Sequence, residues 1–195
     1  MKHTFDAVNV TPYNPEEYGL PVWRDEDHLP PQDEDPTSEA GDPDAPDAIQ
    51  RAVEWQLEIA ADNRHGYSQA ERWGPDYDCS SFVITAWEQA GVPVKTAGAT
   101  YTGNMKAAFL KSGFSDVTAQ INLSSGYGLR GGDVLLNERN HAAMMVSEHQ
   151  LVQASINEKG TVTGGQTGDQ TGREINERSY YNFPWDCVLR YKEDL

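Results

Sequence analysis

Partway along this chain the spacing of its apolar residues changes, and that change limits the fold more than any other feature. Ile49, Val53, Leu57 and Ala60, with Ala52 and Gln56 beside them, form one helical stripe. Pro46 suits its first turn, and Asp44 or Asp47 its cap. Phe82, Val83, Ala86, Trp87 and Ala90 recur at helical spacing from Cys79 to Ala90, where Gly91 and Pro93 end the pattern. A third short helix is expected between Thr102 and Lys111, with Met105, Phe109 and Leu110 inward and Gly113 as the stop. Beyond it the pattern becomes strand-like. Strands are expected over 133–136, 141–147, 151–155 and 187–191, with a tight turn at Glu148-His149-Gln150. Asn63 to Asp78 and the glycine-rich stretch 161–171 read as loops. Helices first and strands after predict an α+β domain, with N-terminal helices packed on an antiparallel sheet.

This pattern occupies only part of the 195 residues. Residues 1–47 hold eight of the eleven prolines and thirteen acidic residues against Lys2 and Arg24. Of the net charge of −16, this segment carries −11 and the remainder −5. Such a segment buries too little apolar area to offset its chain entropy, so a mostly disordered acidic tail (1–47) is expected ahead of a domain spanning 48–195. A tail of this kind could restrain activity or keep the protein from sticking to an anionic surface.

The charge argues against nucleic-acid phosphates as a partner. No apolar run is long enough to cross a bilayer, and the N-terminus lacks the apolar stretch of a signal peptide. The expectation is a protein made in the cytoplasm without a Sec route of its own. Two cysteines, Cys79 and Cys187, could form one disulfide, but Cys187 lies in an apolar strand-like run where a buried reduced thiol is the default.

Cys79 opens a helix and His141 opens a strand. A helix N-terminus, with unpaired N–H groups and partial positive charge, favours a thiolate. A histidine within reach can take the proton and return it to a leaving amine. Ser80 and Ser81 flank the cysteine, but a thiol is the better nucleophile. His3, His28, His65 and His149 lie in the tail, a loop and a turn, and no zinc-ligand spacing is present.

Asp-Cys-Ser-Ser-Phe at 78–82, Gly-Gly-Asp-Val at 131–134 and His-Ala-Ala-Met-Met-Val at 141–146 resemble the three signature blocks of the NlpC/P60 superfamily. These are papain-like cysteine hydrolases that cut the peptide part of bacterial peptidoglycan. The resemblance runs from about Gly66 to Tyr191 and is closest to the phage-lysin branch, which includes N-acetylmuramoyl-L-alanine amidases. The run Arg178 to Asp186 also resembles that branch.

The resemblance implies a papain-like fold with Cys79 as nucleophile and His141 as base, then acid. The third catalytic position, commonly histidine, falls on Gln153, whose oxygen can orient an imidazole but cannot stabilise imidazolium with a full charge. Tyr67 corresponds to a tyrosine that helps hold substrate or oxyanion. The backbone N–H of Cys79 would belong to the oxyanion hole. Asp78 is expected to cap or orient, with its carboxylate pointing away from the thiol because its charge would oppose ionisation, and Asp78 and Ser80 stand with Tyr67 as candidates on the substrate or oxyanion side. Trp73, Trp87 and Trp185 read most simply as core or groove walls, with Trp73 and Trp185 as the candidates to line the substrate groove. No metal or organic cofactor is needed.

The expected activity is hydrolysis of a peptidoglycan amide, either the N-acetylmuramoyl-L-alanine bond or one within the peptide stem. It would belong to a monomeric, phage endolysin-like enzyme, working in lysis or carried on a virion. The alternative is a non-catalytic binding or structural module of the same fold in a phage particle. Gln153 is the departure that keeps that alternative open.

Overall fold

The computed structural model describes residues 47–192, so the expected disorder of the acidic tail lies, apart from Asp47, outside the described residues. Three helices precede a six-stranded antiparallel sheet, with one edge strand entering early. The helices are α1 (Ala48–Ala61), α2 (Cys79–Gln89) and α3 (Thr102–Lys111). The strands are β1 (Phe114–Asp116), β2 (Val134–Asn137), β3 (His141–Met145), β4 (Gln150–Ala154), β5 (Ile175–Ser179) and β6 (Cys187–Tyr191), with a short 3₁₀ turn at Thr118–Gln120. Their order across the sheet is β1-β6-β2-β3-β4-β5. The α+β architecture expected from the change of period is the one observed.

Asp47 caps α1 by accepting from the Gln50 N–H at 2.7 Å. Arg51, one turn into α1, donates from Nη2 to the Ala90 carbonyl at 2.8 Å, tying the start of α1 to the end of α2. Gly91 has φ +86° there, which lets the chain leave α2 while Val92 N–H bonds back to the Trp87 carbonyl at 2.9 Å. The stripe on α2 is wider than a single amphipathic face. Cys79 to Ile84, Ala86 and Trp87 are all buried, because α2 packs against α1 and against β3 and β4. On α3, Met105, Ala108 and Phe109 turn inward, while Leu110 is 42% exposed rather than inward as its hydrophobicity suggested. It follows Phe109 by about 100° around the helix, which takes it off the packed face.

The sheet is covered on both sides. Val134, Leu136, Ala142 and Met144 face the helices, whereas Leu135, Ala143, Met145 and Leu151 face a second cluster with Val117, Leu129 and Trp185. Double burial explains why β2 and β3 are nearly unbroken apolar runs. The two strands absent from the expected set, β1 and β5, are the sheet's two edges. One has three residues, and the other is Ile-Asn-Glu-Arg-Ser, mostly exposed. An edge strand needs little apolar sequence, and charged side chains on it discourage pairing with other chains.

Trp87, fully buried, meets Phe114 edge-on at 4.8 Å and Tyr191 at 5.3 Å, so α2 packs on β1 and β6 through aromatic rings. Near the future site, two loops touch backbone to backbone. A Cβ on Gly66 would fall 2.2 Å from the Gly168 carbonyl oxygen. The buried Asp76 carboxylate accepts from the N–H groups of both glycines at 2.9 Å. The glycines of the 161–171 loop are therefore partly a packing requirement.

The Gly-Gly-Asp block has a structural task. Asp133, fully buried, accepts from Arg190 Nε at 2.7 Å and Nη2 at 2.6 Å, and from the Arg130 N–H at 2.9 Å. This joins the turn before β2 to β6. Removing the carboxylate strands the guanidinium in a mostly buried place. Asp133→Ala is expected to lower stability by about 3 kcal/mol, read as a lower urea midpoint with an unchanged slope.

Candidate active site

The N-terminus of α2 is held by a reciprocal cap. Asp78 accepts from the Ser81 N–H at 2.8 Å, and Ser81 Oγ accepts from the Asp78 N–H at 2.9 Å. This sets Cys79 as the first residue of the helix. Asp78 has further partners. Ser80 Oγ donates to Oδ1 at 2.9 Å, and the Arg72 guanidinium lies on the carboxylate, with Nε 2.6 Å from Oδ2 and Nη2 2.9 Å from Oδ1. Arg72 also donates to Ser80 Oγ and, through Nη1, to the Thr100 carbonyl, each at 2.6 Å. Asp78 thus caps α2, and Ser80 is bonded to the capping carboxylate.

Arg72 was not among the sequence candidates. A single arginine in a polar loop carries no signal until the loop folds back onto the helix it precedes.

The thiol is not the acidic one that a helix N-terminus alone implies. Burial, and secondarily the Asp78 charge, push Cys79 up to about 11. The backbone N–H groups of Ala142 and Ser80, and the Arg72 guanidinium, act in the opposite direction without overcoming them. Influence from Ala142 N–H places the sulfur beside the residue that follows His141. No hydrogen bond joins the thiol to the imidazole among the described residues.

His141 stands at the start of β3, at the turn-side end of the β2–β3 hairpin, opposite Asn137. Its Nε2 lies 2.8 Å from Gln153 Oε1. The amide oxygen only accepts, so Nε2 carries the proton and Nδ1 keeps its lone pair. Burial lowers the His141 pKa below its usual 6.5, with the Gln153 bond opposing. At neutral pH the imidazole is therefore uncharged. The same Gln153 oxygen accepts from the Tyr181 hydroxyl at 2.9 Å.

Of the two readings open for Trp185, core or groove wall, burial favours the first, and its ring lies 5.8 Å from His141 and only 24° from parallel to it. Phe183 meets the imidazole edge-on at 5.6 Å. Together they fix the plane of the ring. Tyr181 and Phe183 escaped notice as site residues, although the aromatic density of 180–185 was the signal available.

Tyr67 is buried, and its hydroxyl accepts from Gln69 Nε2 at 3.2 Å. Burial, then the nearby Cys79, push the phenol up to about 12, so it stays a donor. Its backbone N–H donates to the buried Glu174 at 2.9 Å, which fixes the loop before Cys79. Trp73 is 38% exposed, with Lys95 Nζ 3.8 Å and Arg72 Cζ 4.9 Å from its ring centre, and can serve as a groove wall.

Among the described residues, no group of three or more His, Cys, Asp or Glu is arranged to hold a metal ion. No helix there is long and apolar enough to cross a membrane. Cys187 is a buried free thiol, as is Cys79.

Arg72 offsets a carboxylate that would otherwise stand uncompensated beside the thiol. Arg72→Met is expected to slow alkylation of Cys79 by iodoacetamide at pH 8 and to lower stability by about 2 kcal/mol. Arg72→Lys, which keeps the charge but not the fork, should fall between the two.

The chain has no match among curated proteins. Residues 74–150 and 151–195 match the model of a family described as the endolysin-like domain, a span that includes Cys79, His141, Gln153 and the aromatic segment that follows. With more than half of its length matched, the chain belongs to the endolysin-like domain family.

Proposed function

We propose that this endolysin-like domain is a cysteine hydrolase of the NlpC/P60 kind that cuts an amide bond of bacterial peptidoglycan. The observation that carries the reading is the His141–Gln153 bond, which leaves Nδ1 free to accept a proton at a strand whose next residue borders the Cys79 sulfur. A phage lysin-type role at the cell wall is what the family supports.

In this reading the resting pair is neutral thiol and neutral imidazole, because burial raises one pKa and lowers the other. The proton therefore moves as the sulfur attacks. Sγ forms a bond to the carbonyl carbon while the S–H proton passes to His141 Nδ1. Backbone N–H groups at the start of α2 stabilise the oxyanion. As the C–N bond breaks, the amine leaves with the proton from His141. Water, deprotonated by the same imidazole, then opens the thioester and frees Cys79. Gln153 supplies orientation without charge, so the imidazolium is transient. The bond favoured is the one between N-acetylmuramic acid and L-alanine, with stem cleavage as its neighbour in the same chemistry.

A second reading, the non-catalytic module, draws on the burial of Cys79, which is only 7% exposed. Turbidity loss of purified cell walls separates the two. Wild type is expected to clear them and Cys79→Ala to lose activity at least ~10³-fold, with mass spectrometry identifying the new amine. Failure of the wild type to clear several wall types would hand the case to the module.

The pH dependence has a definite sign. Base function is lost as pH falls through the lowered His141 pKa, so the acid limb of kcat/KM is expected below pH 6.5. A normal solvent deuterium isotope effect on thioester formation should accompany it. Activity lost as pH rises through a raised imidazole pKa, or no isotope effect, would mean a preformed ion pair instead.

A further inference from the structure

We propose that Tyr181, beneath the Arg178 guanidinium, is a positioning residue that keeps the Gln153 carboxamide turned with its oxygen toward His141. The inference rests on the reading of His141 as the base of this site.

A carboxamide has an acceptor end and a donor end of nearly the same shape. With the oxygen toward His141, Nε2 holds the proton and Nδ1 is a base. With the NH₂ toward it, Nε2 must accept, the proton moves to Nδ1, and the ring nitrogen not bonded to Gln153 can no longer take a proton. A carboxylate in the third position has no wrong end. A chain that places glutamine there needs something to distinguish the two ends.

Tyr181 does so. Its hydroxyl donates to the same oxygen that receives the imidazole N–H, at 2.9 Å and 2.8 Å respectively. Gln153 is only 3% exposed, so water is poorly placed to substitute. A phenol can also accept, but Arg178 Cζ lies 4.1 Å from the ring centre. A cation over the π face draws electron density from the ring and favours the donor role. The flipped amide would ask this phenol to accept from Gln153 N–H, which is the role the cation disfavours.

The backbone holds the residue in place. Gln153 pairs with Asn176 across β4 and β5, and Tyr181 follows shortly after β5. Tyr180 N–H bonds to the His149 carbonyl at 2.8 Å, and Phe183 N–H to the Tyr181 carbonyl at 2.9 Å. The Tyr181 ring lies 6.0 Å from both Phe183 and Trp185, the rings that flank His141.

The test is side-chain ¹⁵N NMR of histidine-labelled full-length protein together with wall hydrolysis by Tyr181→Phe, in the native and Gln153→Glu backgrounds. The wild type should show His141 with the proton on Nε2 alone, and Tyr181→Phe should show a growing Nδ1–H population. Its kcat should fall roughly three- to tenfold, the worth of one neutral hydrogen bond, with KM unchanged. In the Gln153→Glu background the same change should alter kcat less than about twofold, because the carboxylate has no end to misplace. Arg178→Met, which keeps the hydroxyl, should shift the tautomer in the same direction by less. An unchanged tautomer, or an equal loss in both backgrounds, would make Tyr181 a packing residue and overturn the proposal. If the wild type clears no walls while the tautomer still responds to Tyr181→Phe, the proposed hydrolysis fails and the positioning role stands.

Discussion

Much of the site depends on how the first turn of α2 is capped. Asp78 satisfies the Ser81 N–H, and Ser81 satisfies that of Asp78, which makes Cys79 the first helical residue. The cap has an electrostatic consequence: a carboxylate now stands beside a buried thiol, and both burial and charge oppose ionisation. Arg72 is the offset, gripping Asp78 and Ser80 while reaching the Thr100 carbonyl. One guanidinium thereby links the loop before Cys79, the helix and the loop before α3.

The balance of these forces shapes the chemistry available. A helix N-terminus favours a thiolate, but a partial charge confined to the first turn is outweighed by removal of the sulfur from water. The imidazole experiences the same burial, which disfavours its charged form. Two neutral partners result, and a neutral glutamine suits them. A carboxylate behind His141 would stabilise a charge that the resting site does not hold.

The sheet provides the other half. His141 and Gln153 lie on adjacent antiparallel strands, and the aromatic segment between β5 and β6 closes over both. Ala142 and Ala143, fully buried on opposite faces of β3, are small enough to admit α2 on one side and that segment on the other. Burial of the central strands on both faces makes this part of the molecule a rigid support for the imidazole.

Gln153 followed from the family resemblance alone, whereas the three helices, the four strands with apolar character, the α+β class and the candidates Cys79 and His141 were legible along the chain. Each of these is written in local periodicity, in a capping residue or in a short motif. Periodicity could not reveal β1 and β5, because an edge strand is specified by the neighbour it pairs with and carries little apolar signal of its own. It also placed Leu110 inward, since hydrophobicity does not report which way a helix is rotated in its final packing. That Trp185 lies under His141, that Arg72 pairs with Asp78, and that Tyr181 shares the Gln153 oxygen emerged only from the folded molecule. These pairs bring together residues between 6 and 44 positions apart, through hydrogen bonds and ring contacts that exist only once helix, sheet and loops have closed. Most important, the sign of the Cys79 shift depends on burial, which is a property of the whole fold and of no local stretch of sequence.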